Sequence, residues 1–229
     1  MSPASPPTAT TRAELASCID HTILRPESTR AEVGQVASLA VEWGCASVCV
    51  QPEHVAFVAD LVGGRLPVCS VVGFPHGATL ARVKAEEAAA VVALGASEVD
   101  MVVGLGAIAE GEIDEVRHEV AAVRAAVPNV VLKVIVEAAL WTPPVLSAVC
   151  EAAVDAGADY VKTSTGFHPA GGADVESVRV MREAVGRRAR VKASGGLRTL
   201  ADCLAALEAG ADRLGLSATG AVLAELDVA

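Results

Sequence analysis

A (β/α)8 barrel in a single domain is the fold the sequence predicts, and three observations predict it. Eight short, apolar, strand-like runs alternate with longer stretches in which Ala, Val and Leu recur at helical spacing. The chain has 229 residues, a length that accommodates eight such units. Four of the segments leading into strands share one plan: a helix-ending glycine, two or three small or polar residues, then the strand. The alternative, an open doubly wound sheet, lacks support because no GxGxxG turn follows the first strand.

The chain opens with MSPASPPTATTR, rich in Pro, Ser and Thr and without the apolar segment of a signal peptide. Residues 1–13 therefore read as a disordered leader and residues 14–229 as the barrel. Strands are expected to start near Cys18 (CIDHT), Ser47 (SVCV), Pro67 (PVCSVVG), Glu98 (EVDMVV), Val130 (VVLKVIVE), Tyr160 (YVKTS), Arg190 (RVKASG) and Arg213 (RLGLS). Arg82 to Leu94 and Ile113 to Ala126 are the clearest helices between them. The repeated plan begins at Gly44, Gly95, Gly157 and Gly210, before the second, fourth, sixth and eighth strands. Five residues past each glycine stand Cys49, Asp100, Lys162 and Gly215, which should share one facing toward the barrel interior.

The lysines single themselves out. Of 18 basic residues only four are lysine: Lys84, Lys133, Lys162 and Lys192. Arginine supplies positive charge as well, but it cannot lose its proton or form an imine. Three of the lysines lie in strand-like runs, where burying an ammonium needs a partner or the loss of a proton. Lys84, three residues before Glu87, reads instead as part of a solvated helix face. The period of two puts Lys133, Ile135 and Glu137 on one face of the fifth strand, and Lys192 with Ser194 on one face of the seventh. Asp20 and Thr22 of the first strand join them. An interior holding Asp20, Asp100, Lys133, Glu137, Lys162 and Lys192 is either a self-neutralising ion network or a site for amine chemistry. A lysine amine that is neutral at pH 7 to 8 has had its proton affinity lowered by about 4 kcal/mol. Desolvation and a second ammonium, Lys192, would both act on Lys162 in that direction, with Asp100 moving the proton.

Glycine-rich turns after the seventh strand (Ser194, Gly195, Gly196, Leu197, Arg198) and the eighth (Gly215 to Gly220, with Ser217) stand where such barrels bind phosphate. A formal charge of −10 argues against nucleic acid or an anionic membrane as partner. No apolar run reaches the roughly 18 residues a membrane helix needs. The six cysteines form no CxxC pair and fit buried free thiols in a reducing cytoplasm. The five histidines form no HxH or HxxxH pair, so no metal is expected.

The motifs CIDHTIL, SVCVQPEHV, VVGFPHGAT, EVDMVVGLGAI, LKVIVEA, YVKTSTGF and VKASGGLRT, over about Cys18 to Thr219, resemble the successive motifs of the deoxyribose-phosphate aldolases. The resemblance implies a class I aldolase that cleaves 2-deoxy-D-ribose 5-phosphate to acetaldehyde and D-glyceraldehyde 3-phosphate, with no cofactor. It also implies a homodimer. By matching motif, Lys162 would be the Schiff-base lysine, Asp100 the proton-transfer carboxylate and Lys192 the lysine that tunes Lys162. Asp20 and Thr22 match residues around the substrate hydroxyls, and Cys49, Lys133 and Thr165 are further candidates for substrate contact. Gly166, Gly195, Gly196 and Ser217 match the phosphate cradle, which Arg198 and Gly215 would extend. Three positions depart from the pattern. GLSATG carries Ala218 where the family commonly has a second serine, Gln51 stands where asparagine is common, and the only tyrosine, Tyr160, lies in a strand rather than at the C-terminal tail. Another Schiff-base aldolase or a transaldolase, or a non-catalytic barrel binding a phosphorylated metabolite, would also fit the residues themselves.

Overall fold

The computed structural model describes residues 11–226. All eight expected strands are present: β1 Ile19–Ile23, β2 Ser47–Val50, β3 Val68–Val72, β4 Glu98–Val102, β5 Val131–Ile135, β6 Tyr160–Lys162, β7 Arg190–Ser194 and β8 Arg213–Leu216. They pair in parallel, each with the next, and β8 returns to β1 to close the barrel. Helices α1 Arg12–Ala16, α2 Arg30–Trp43, α3 Val55–Val62, α4 Ala81–Ala93, α5 Leu105–Ala109, α6 Ile113–Ala126, α7 Pro143–Asp155, α8 Val175–Val185, α9 Leu200–Glu208 and α10 Thr219–Leu226 lead into and follow the strands. The expected leader is corrected at its end. Thr11 and Glu14 form a capping box that starts α1 at Arg12, inside the span read as leader, while residues 1–10 lie outside the described residues.

The repeated glycines are helix stops of one geometry. After each, a backbone N–H reaches back five residues into the preceding helix: Cys45 to Ala40, Ala96 to Val91, Ala158 to Ala153 and Ala211 to Ala206, each at 2.9–3.0 Å. This is the Schellman closure, and the glycine supplies its positive φ, between 69° and 112°. One residue further on, Ala46, Ser97, Asp159 and Asp212 each donate to the preceding strand at 2.8–2.9 Å. The same turn therefore delivers every even strand in the same phase, and Cys49, Asp100, Lys162 and Gly215 all face inward.

Alternation sorts the rest. Val48 and Val50, Val99 and Met101, Leu132 and Val134, Val161, and Val191 and Ala193 point outward into the main core under the helices. Inside the barrel, Leu24, Cys49, Cys69 and Val71 form a small separate cluster on the β1–β3 side. The side running from β4 through β8 to β1 is charged.

Lys84 overturns its expectation: it is fully buried. Its Nζ pairs with Glu119 of α6 at 3.0 Å, and Glu119 also accepts the Gly104 N–H at 2.8 Å. Glu87, its expected helical neighbour, accepts the Gly73 N–H at 2.8 Å instead. Lys84 thus belongs to a clip of α4 and α6 on the loops after β3 and β4. The helical period alone could not tell a face that meets another helix from one that meets water.

Candidate active site

The charged half of the interior is one ion network. Asp100, in the middle of β4, stands at the register level of Lys133 on β5. Its Oδ1 accepts from Lys133 Nζ at 2.8 Å. Its Oδ2 accepts from both Lys162 Nζ and Lys192 Nζ, each at 2.7 Å. Lys192 also donates to Asp20 Oδ2 at 2.5 Å, and Arg213 to Asp20 Oδ1 at 2.6 Å. Lys133 closes the circuit on Glu98 at 2.6 Å. Every member except Arg213 is at least 93% buried at its side chain.

Burial by itself would raise the two aspartates. The surrounding ammoniums outweigh it: Lys133, Lys162 and Lys192 hold Asp100 well below the carboxylate range, and Lys192, Lys133 and Arg213 do the same for Asp20. Burial likewise works against the charged lysines, but Asp100 holds Lys133 and Lys192 above the ordinary lysine range. With every group ionised, four cations face three carboxylates (Asp20, Glu98 and Asp100). Release of one proton leaves the network neutral.

A cavity of about 680 Å³ opens at the C-terminal ends of the strands. Of the expected site residues, Thr22, Lys162, Thr165, Gly166, Gly195, Gly196, Arg198, Gly215 and Ser217 line it. Asp20, Cys49, Asp100, Lys133 and Lys192 do not; they lie fully buried beneath it. Lys162, the last residue of β6, is the only lysine at the cavity wall. It joins the wall to the network.

One expectation is corrected and one open question is answered. Glu137 does not face the lysines, because β5 ends at Ile135 and Glu137 takes a left-handed backbone with φ 52°. Its carboxylate instead accepts from Thr165 Oγ1 at 2.8 Å, holding the loop after β6. Thr219 cannot stand in for a hydroxyl at Ala218. It is buried, with Oγ1 2.9 Å from His21 Nδ1, whereas Ala218 lines the cavity. The glycines after β6 and β7 have a packing reason as well, since a Cβ on Gly172 would lie 2.1 Å from the Gly195 carbonyl oxygen. Gln51 donates to the Leu24 carbonyl at 2.8 Å, tying the loop after β1.

Glu98, Cys69 and Arg213 were not read from the sequence. A signal existed for two of them: Glu98 is two residues before Asp100 and Arg213 two before Gly215, so the period of two gives each the facing of its neighbour. Arg25 and Phe167 also line the cavity. Both lie in loops, where no periodicity points to a facing.

A closed parallel barrel with its cavity at the C-terminal strand ends, and a single amine in the wall backed by a carboxylate, defines a barrel enzyme suited to carbonyl chemistry. Residues 15–224 match the DeoC/LacD family aldolases, and the chain belongs to that family: it is an aldolase. It is 56% identical to the deoxyribose-phosphate aldolase of Mycobacterium avium (strain 104), over 93% of this chain and 97% of that one. With the enzyme of the same name from Mycobacterium tuberculosis (strain ATCC 25618 / H37Rv) it shares 54% identity, over 93% and 96%. The structure is also similar to that of a deoxyribose phosphate aldolase from Aeropyrum pernix, described as a tetramer. The TM-score is 0.86 at 35% identity, covering 95% of this chain and 92% of that one.

Proposed function

We propose that the chain cleaves 2-deoxy-D-ribose 5-phosphate, reversibly, to D-glyceraldehyde 3-phosphate and acetaldehyde through an imine on Lys162. One observation carries the reading: Lys162 is the sole lysine at the cavity wall, with its Nζ 2.7 Å from a fully buried carboxylate. The neutral amine attacks the aldehyde carbon of the open-chain sugar, and loss of water leaves an iminium. A base takes the proton of the 3-hydroxyl, that oxygen becomes the carbonyl of the released glyceraldehyde phosphate, and the C2–C3 electrons pass to the iminium nitrogen. The resulting enamine is protonated at carbon and hydrolysed to acetaldehyde.

Asp100 is ionised and serves as the proton acceptor. Because it lies beneath the wall, its proton passes by way of a water or the nitrogen of Lys162. Lys192 holds the other side of the same oxygen, so Asp100 stays paired when Lys162 becomes covalently occupied. Thr22 and Thr165 face the sugar hydroxyls. Gly166, Gly195, Gly196, Gly215, Ser217 and Arg198, all around one cavity, receive the phosphate at its outer end. The six free thiols suit a reducing compartment, which supports a cytoplasmic location. Assembly as a homodimer is the oligomeric state we read from the family motifs, and sedimentation of the purified chain tests it.

Borohydride reduction in the presence of acetaldehyde, followed by peptide mass mapping, tests the chemistry. An ethyl group on Lys162 alone is expected. Its absence, with deoxyribose phosphate left uncleaved, would leave a barrel that only binds a phosphorylated metabolite.

A further inference from the structure

The barrel interior holds a pair of thiols that the reaction above does not use. Cys49 of β2 and Cys69 of β3 are direct register partners on neighbouring parallel strands, and both are fully buried. Their sulfurs and a carboxylate oxygen of Asp100 all lie within 4.8 Å of one another. Register partners on adjacent strands stand about 4.8 Å apart at Cα, inside the roughly 4.4–6.8 Å that a disulfide spans. Cys69 Sγ also donates to Asp100 Oδ1 at 3.1 Å and accepts from Lys133 Nζ at 3.3 Å.

We infer that Cys49 and Cys69 form an oxidation site, closed to a disulfide by hydrogen peroxide, and that closing it reversibly disables the amine site through Asp100. The two thiols have unequal roles. The neighbouring Cys69 first, and the Lys192 and Lys162 ammoniums after it, hold Cys49 below the ordinary thiol range against its burial and the charge of Asp100. Burial first, then the neighbouring Cys49 and the charge of Asp100, push Cys69 well above that range. Cys49 is accordingly the attacking sulfur and Cys69 the resolving one.

In the first step the Cys49 thiolate attacks one peroxide oxygen and the O–O bond breaks. The departing hydroxide takes up a proton as water, leaving Cys49 as a sulfenic acid, oxidised by two electrons. Sulfur of Cys69 then displaces hydroxide from the Cys49 sulfur. The thiol proton of Cys69 leaves with that hydroxide as a second water, and the S–S bond forms. Peroxide is small and uncharged, so reaching the buried pair costs it no desolvation of a charge. The product has no S–H on Cys69, so Asp100 Oδ1 loses that donor, and β2 is tied covalently to β3 beneath the catalytic carboxylate.

The test uses the full reduced chain, freed of reductant, exposed to hydrogen peroxide, then digested without reduction and mapped by mass. A cross-linked peptide pair joining Cys49 to Cys69 is expected, with aldolase activity down by about tenfold or more. Dithiothreitol should return that activity. In Cys69→Ser the resolving sulfur is gone, peroxide carries Cys49 on to the sulfinic acid, and dithiothreitol should recover none of the activity peroxide removes. No cross-link in the native chain, a cross-link that leaves activity intact, or equal recovery in Cys69→Ser would each overturn the inference. The activity arm rests on the aldolase reading. The cross-link is read by mass alone, so the thiol chemistry and that reading fail separately.

Discussion

One carboxylate oxygen, Asp100 Oδ2, accepts from two amines at the same 2.7 Å, and much of the site's chemistry hangs on that sharing. Asp100→Asn keeps the shape but removes both the charge and the proton acceptor. It should lower kcat by about 10²–10⁴-fold while borohydride still traps some imine on Lys162. Lys162→Met should abolish trapping altogether. Ala218 makes the complementary test of specificity. Thr219 is turned away to His21, so the wall beside Ser217 lacks a hydroxyl that Ala218→Ser would restore. One further hydrogen bond to phosphate contributes about 1 kcal/mol, so kcat/KM for the phosphorylated sugar over plain deoxyribose should rise by roughly fivefold. An unchanged ratio would show that the phosphate does not reach this loop.

The repeated elements of the barrel have repeated supports. In two of the four units an arginine from the preceding helices fastens the glycine turn. Arg124 Nε donates to the Gly157 carbonyl and Arg182 Nε to that of Gly210, each at 3.0 Å, and each guanidinium also pairs with the aspartate two residues on, Asp159 or Asp212. Arg124 reaches the carbonyls of Val127 and Val130 as well. Arg124→Ala should therefore cost about 1–3 kcal/mol in urea unfolding, with less effect on kcat, because the turn lies at the far end of β6 from Lys162. At this scale the sequence was highly legible. Glycine plus alternation gives the strand phases and turns both Asp100 and Lys162 to the barrel interior. What it could not show was where alternation stops. Glu137 obeys the period of two on paper, but its left-handed backbone turns it to Thr165. Lys84 obeys a helical pattern that says nothing of Glu119, whose approach is set by the packing of α4 against α6. Loop residues such as Arg25 and Phe167 have no period to betray them.

Across the whole molecule, the buried charges set a pH window for stability. Asp20 and Asp100 titrate lower in the folded chain than unfolded, so the unfolded chain binds protons first, and stability is lost as pH falls below about 4. Cys69, Cys150, Cys203 and Cys45 are pushed the other way by burial. For them the unfolded chain loses protons first, so stability begins to fall above about pH 8.5. Lys133 and Lys192, held above the lysine range, extend that loss from about pH 10.4 upward. Burial also holds His21 below the ordinary imidazole range, so a plot of melting temperature against pH should be highest between about 7 and 8, begin to fall below about 6.5, and fall further below about 4 and above about 8.5. A maximum above pH 9 would mean that the thiols are not protonated in the core.

The burial of Lys84 has a practical side. With Lys133 and Lys192 it leaves no lysine amine on the outer surface, and Lys162 meets solvent only through the cavity. Reagents that label proteins through lysine should find only Lys162 on the native chain, and only when they are small enough to enter the cavity. The same economy of amines means that aldehydes at high concentration have almost nowhere to collect except on Lys162.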